Sequence, residues 1–86
     1  MGKLGNEQPV YARNMGLRYV AEFNASNQVI YEGWADPSAL TSEAKFQICK
    51  HTYDSSGNLT ETNWAKRSGY ATDDFVFIWD DRLTYF

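Results

Sequence analysis

A single cysteine among 86 residues, Cys49, excludes an internal disulfide. With a single histidine as well, His51, no zinc-type Cys/His spacing can be written. Lysine and arginine number eight against eleven aspartates and glutamates, for a formal charge of -3. Those eight form no block that would neutralise a run of phosphates, so no nucleic-acid partner is expected. No apolar run approaches the roughly 20 residues that span a bilayer, and no membrane partner is expected. Met1 to Pro9 is polar and lacks the basic and apolar regions of a signal peptide. Synthesis in the cytoplasm is the expectation, and the glycosylation-type triplets Asn24-Ala25-Ser26 and Asn58-Leu59-Thr60 are then coincidental. Gly-rich phosphate loops, Gly-x-Ser-x-Gly elbows and His-Glu-x-x-His pairs are missing, so neither catalysis nor a cofactor is expected. No internal repeat or heptad is visible.

What is abundant is aromatic. Three Trp, six Tyr and five Phe make up 16% of the chain. Large rings give the most buried area per residue and also favour interfaces. A chain this short removes only about 60% of its unfolded surface from water, so it forms one domain of modest stability. Partners or self-association are the remaining route to extra stability.

Residues 1–16 contain little to bury and are read as a flexible arm carrying Tyr11; residues 17–86 are read as one small β-domain. From Leu17 the period is two. Leu17, Tyr19, Ala21 and Phe23 share one face, with Arg18, Glu22 and Asn24 on a wet one. Asn24 to Gln28 is turn material, and Val29 to Ala35 is the next strand. Gly33 within it predicts a bulge or the close approach of another backbone. Asp36-Pro37-Ser38 ends that strand, and Ser38 to Ala44 reads as an exposed crossover loop. Phe46 to Tyr53 is a third strand, with Phe46 and Ile48 on one face. Asp54-Ser55-Ser56-Gly57-Asn58 is a hairpin loop, and Leu59 to Lys66 returns as the fourth strand. After Ser68-Gly69, residues 73–82 fit either a short helical turn or a strand. The β-rich run Phe75 to Trp79 favours a strand ending at Asp80-Asp81, followed by a last strand over Leu83 to Phe86. The fold class expected is all-β, a small antiparallel sandwich or barrel.

Cys49 and His51 lie two apart on one strand and share a face, as a Cys-His nucleophile or half a metal site begins. Nothing else completes it from the sequence, and a half-buried thiol beside a surface imidazole is the reading. Asp73, Asp74, Asp80 and Asp81 bracket an aromatic segment and read as caps and turns rather than as paired catalytic acids or calcium ligands. The 54–58 loop lacks the closing Glu of a calcium loop. Trp34, Trp64 and Trp79 read as core and interface rather than as a stacking platform.

Five pieces stand out together: Val-Ile-Tyr-Glu-Gly-Trp-Ala (29–35), Phe-Gln-Ile-Cys-Lys (46–50), Tyr-Asp-Ser-Ser-Gly-Asn (53–58), Asn-Trp-Ala (63–65) and Ile-Trp-Asp-Asp-Arg-Leu-Thr-Tyr (78–85). This series resembles a recurrent small β-domain among the virion structural proteins of tailed bacteriophages. The closing Trp-Asp-Asp-Arg-x-x-Tyr is its most distinctive part. Phe46 stands where Trp is commoner. Trp64-Ala65 is followed by Lys66-Arg67 rather than by an acidic residue and Gly, and the first 28 residues lie outside the likeness.

The resemblance implies a non-catalytic subunit, present in ordered copies on the virion as a capsid decoration protein or a head–neck, collar or fibre component. Its partners would be other virion proteins and further copies of itself in a homo-oligomer or symmetric array. Contact residues expected on this reading are Tyr11, Trp34, Trp64, Tyr70 and Arg82. The corner formed by Trp79, Asp80, Asp81 and Arg82 is expected to be structural, with Arg82 lying on an aromatic face or pairing with an acid. The competing expectations are a glycan- or ligand-binding β-module using Trp34, Trp64 or Tyr70, and a regulator directed at a host protein.

Overall fold

The computed structural model describes residues 16–86. The expected arm, Gly16 apart, and Tyr11 lie outside the described residues. Strands β1 (Arg18–Phe23), β2 (Val29–Ala35), β3 (Ala44–Tyr53) and β4 (Leu59–Trp64) form an antiparallel meander in chain order. A miniature hairpin of β5 (Lys66–Arg67) and β6 (Tyr70–Ala71) follows. Strand β7 (Phe77–Ile78) then pairs with the first residues of β3, and a 3-10 helical segment over Trp79–Tyr85, kinked at Asp81, follows. The fold is all-β, and its sheet stays open rather than closing into a barrel. Among the described residues no helix is long and apolar enough to cross a membrane.

The two central hairpins are built alike, which corrects the expectation of no internal repeat. Asn24 and Asp54 open the two loops thirty positions apart, and Asn27 and Gly57, Trp34 and Trp64, and Ala35 and Ala65 keep that spacing. Asn24 Oδ1 accepts the N–H groups of Ser26 and Gln28 at 2.9 and 3.0 Å; Asp54 Oδ1 accepts those of Ser56 and Asn58 at 2.9 Å each. The left-handed residue of each loop is Asn27 (φ 62°) or Gly57 (φ 84°), and each loop follows a register shift, at Glu22/Phe23 and at Thr52/Tyr53. The loops touch, since Gln28 Nε2 donates to the Gly57 carbonyl at 2.9 Å. The repeat is hard to see in the sequence because turn chemistry tolerates Asn for Asp and Asn for Gly, while most strand residues differ.

Register places Val20, Gly33 and Ile48 side by side on one face. That face carries the main core of Tyr31, Ala35, Phe46, Ile48, Ala65, Phe77 and Trp79. The Trp79 indole lies directly over Gly33, where a Cβ would meet its Cε3 at 2.8 Å and its Cζ3 at 3.0 Å. Gly33 therefore marks the close approach of a side chain. Its pairing is regular, so the expected bulge or neighbouring backbone gives way to that indole. The opposite face holds Trp34 and Cys49, packed by Leu17, Tyr19 and Trp64.

Several local expectations change. β1 has no plainly wet side: Val20 joins the main core, Arg18 donates to the Ala39 carbonyl, and Glu22 pairs with Arg82. The connection after β2 is anchored, with Ala39 buried and its amide held by the Asp36 carbonyl at 2.9 Å. The fourth strand stops at Trp64, because the Ala65 amide turns to the Ile48 carbonyl at 3.0 Å and the chain enters the β5–β6 hairpin. Residues 75–79 pair only at Phe77–Ile78, and 83–86 form no strand. Trp79 must turn inward to reach Gly33, and the backbone coils there. The Tyr85 hydroxyl then accepts the Ile78 N–H at 3.0 Å and Thr84 Oγ1 donates to the Asp81 carbonyl at 2.8 Å.

Candidate functional site

The face opposite the 3-10 helix carries a polar cluster drawn from all four meander strands. Pairing sets Glu32 of β2 beside Cys49 of β3, and His51 of β3 beside Thr62 of β4. Cys49 and His51 share that face because strand side chains alternate. The Glu32 carboxylate accepts on both oxygens, from His51 Nε2 at 2.5 Å and from the Tyr19 hydroxyl at 2.6 Å. Cys49 Sγ lies 3.9 Å from Glu32 Oε1 and 3.8 Å from His51 Nε2. His51 Nδ1 meets Thr62 Oγ1 at 2.7 Å. The His51 and Glu32 side chains are only 13% and 16% exposed, so the bonds to Glu32 are partly shielded from water, while the Thr62 bond lies at the surface.

Burial first, and then the negative charge of Glu32, pushes the Cys49 thiol up to about 12. A thiol held this way is protonated near neutral pH and is no nucleophile. Burial, aided by the hydrogen bond to Glu32, likewise raises Tyr19 far above the ordinary range of a phenol. The cluster thus contains a carboxylate, an imidazole and a thiol whose Oε1, Nε2 and Sγ atoms converge, each within 4.8 Å of the others. Of these, Cys49 and His51 are legible from their spacing. Glu32 is signalled only as a charge inside the apolar strand Val-Ile-Tyr-Glu-Gly-Trp-Ala, and Tyr19 and Thr62 carry no signal until register is known.

Among the described residues, Trp34 and Trp64 of the expected contact set come together, while Tyr70 and Arg82 lie elsewhere. Trp34 is 6% exposed and packs between Tyr19 and Trp64, with ring centroids 5.7 and 6.3 Å away. Trp64 is half-buried beside it. Tyr70 stands on the small hairpin, 79% exposed. Arg82 is on the other face of the sheet. Its guanidinium lies 4.6 Å over the Trp79 ring, Nε donates to Glu22 Oε1 at 2.9 Å, and a terminal nitrogen donates to the Trp79 carbonyl at 3.1 Å. Tyr11 lies outside the described residues. Exposed apolar side chains that the sequence did not single out are Phe23, Leu40, Leu59, Phe75 and Leu83.

The oxygen-rich loops are occupied by their own backbone. The N–H of Asn58 and its neighbours hold the Asp54 carboxyl below the ordinary carboxylate range, and Ser38 does the same for Asp36. No protein-family model, curated protein or solved structure matches the chain.

Proposed function

We propose that this domain is a non-catalytic structural subunit that works through protein–protein contacts, in the setting its motifs suggest: a tailed-phage virion. There it would serve as a capsid decoration protein or as a head–neck, collar or fibre component. One observation supports the reading most. The distinctive closing motif is engaged within the fold, with Trp79 over Gly33, Arg82 on Trp79 and Glu22, and Tyr85 on the Ile78 amide.

What remains for a partner is surface. β1 and β4 are the outer strands of the meander, and all of β4 but Trp64 is exposed. Outer strands present unpaired backbone groups to which another chain adds readily. Leu59 on β4 and Phe23 at the end of β1 stand 55% and 57% exposed, as apolar anchors for such a contact. The glycan-binding alternative is weaker, because Trp34 has almost no accessible ring face to stack on a sugar.

Quantitative mass spectrometry of particles from the source, scored against the main shell protein, tests the proposal. Copies comparable to the shell protein fit decoration of the lattice, and far fewer fit a neck, collar or fibre. Absence from the particle overturns it.

A further inference from the structure

The Glu32–Cys49–His51 cluster brings three potential metal-ligand atoms within 4.8 Å of one another. Its three ligand types, carboxylate oxygen, imidazole nitrogen and sulfur, are those that zinc and its chemical relatives take. Around a tetrahedral ion, with sulfur at about 2.3 Å and nitrogen or oxygen at about 2.0–2.2 Å, sulfur lies about 3.6 Å from each of the other ligand atoms. Here those separations are 3.8 Å to nitrogen and 3.9 Å to oxygen. The third edge, Nε2 to Oε1, is 2.5 Å because a proton sits in it. An ion replacing that proton needs the two groups to part by about 0.9 Å, within the reach of a glutamate side chain.

The atoms behind the ligands point the same way. A metal-binding histidine ordinarily gives its other ring N–H to an acceptor, and a ligating carboxylate is itself hydrogen-bonded. With Nε2 on the ion, the ring proton resides on Nδ1, where Thr62 Oγ1 waits at 2.7 Å. With Glu32 Oε1 on the ion, Oε2 keeps the Tyr19 hydroxyl at 2.6 Å. Both supports are in place, and each comes from a different outer strand, β1 or β4.

Charge agrees as well. A divalent ion with one carboxylate and one thiolate makes a neutral set, so binding leaves no net charge in a shielded place.

We propose that Glu32, Cys49 and His51 form a binding site for a thiophilic divalent cation of the zinc class. Thr62 and Tyr19 act as positioning residues. On binding, the Cys49 thiol releases its proton to solvent, the imidazole binds through Nε2, and water takes the fourth position. The partial exposure of Glu32 and His51 provides the way in. The ion ties β2 to β3 across a face that has no disulfide to do so, as small domains often require. The site is independent of the assembly reading and stands or falls separately from it.

The test uses the full chain, reduced and freed of metal with a chelator, and titrated with Co2+ and then Zn2+. The expected result is a thiolate-to-cobalt charge-transfer band with tetrahedral visible bands, saturating at one equivalent and abolished by Zn2+. Cys49→Ser removes the charge-transfer band. Thr62→Val, an exposed position that touches no ion, keeps the band but weakens affinity by about 10–100-fold. Circular dichroism confirms that each variant is folded, and His51→Ala supplies a second ligand deletion should Cys49→Ser unfold. Either of two results overturns the proposal: no band at one equivalent of Co2+, or a band equally strong in the ligand variant and at unchanged affinity in Thr62→Val.

Discussion

A Cβ on Gly33 would come within 2.8 Å of Trp79 Cε3 and 3.1 Å of Val20 Cγ2. Gly33→Ala must therefore push out the indole on which the C-terminal turn rests. A loss of about 1–3 kcal/mol in urea unfolding is expected, with the slope unchanged. Arg82 lies over that same indole, its guanidinium 4.6 Å from the ring centroid. Arg82→Ala removes a shielded cation–π contact and the Glu22 ion pair together, and should cost about 1–2 kcal/mol. An Arg82→Ala protein with unaltered stability and assembly would contradict the structural role assigned to this corner. On the opposite face, Cys49 keeps its proton to about 12, against an ordinary value of 9.0. In the metal-free native protein, iodoacetamide at pH 8 should modify it about 1,000-fold more slowly than in the unfolded chain. The same shift acts on stability. Between pH 9.0 and about 12 the folded state holds a proton that the unfolded state has lost, so stability falls as pH rises through that window. Tyr19, raised in the same direction, extends the loss to higher pH. Cys49→Ala should flatten the lower part of that slope in denaturation series run from pH 8 to 11.

Among the elements, the twin hairpin loops make the sharpest comparison. Asn27 and Gly57 occupy the same left-handed position, with φ 62° and 84°. Gly57→Ala places a Cβ in that conformation and should destabilise by about 1–2 kcal/mol, whereas Gly57→Asn should cost less. Thermal melts of the two variants separate backbone strain from lost contacts, since among the described residues the atom near a Cβ there is Gln28 Nε2 at 3.5 Å. The strands of these hairpins were legible from alternation and from their Asn, Asp, Ser and Gly turns. The C-terminal segment was not. Phe75, Phe77 and Trp79 match a strand's period, and nothing local reveals that Trp79 is drawn to a notch at Gly33 far away in the chain. The apparent crossover after β2 misled in a milder way, since Ala39 is buried by contacts that its own neighbours do not announce.

For the molecule as a whole, the open sheet leaves outer strands and isolated apolar side chains facing water. If these are the assembly surface, Phe23→Lys with Leu59→Lys should change stability by less than about 0.5 kcal/mol each while abolishing incorporation into particles. Sedimentation of particles assembled with the variant measures this directly, and normal incorporation would remove β1 and β4 from the interface. The candidate metal cluster exists only at this scale. Cys49 and His51 announce themselves by a spacing of two, but their third partner comes from β2 and their supports from β1 and β4. Those meetings depend on register, which is a property of paired strands and not of any one segment.

By itself, the sequence determined the class of the fold and its hairpins, because alternation and turn chemistry act between near neighbours. It also determined the absence of a disulfide, since one thiol cannot pair within its own chain. The tertiary structure alone decided that Trp79 seats on Gly33, that Trp34 is buried between Tyr19 and Trp64, and that Glu32 joins Cys49 and His51. Each of these is a contact between distant positions, and its energy is realised only after the strands have chosen their partners.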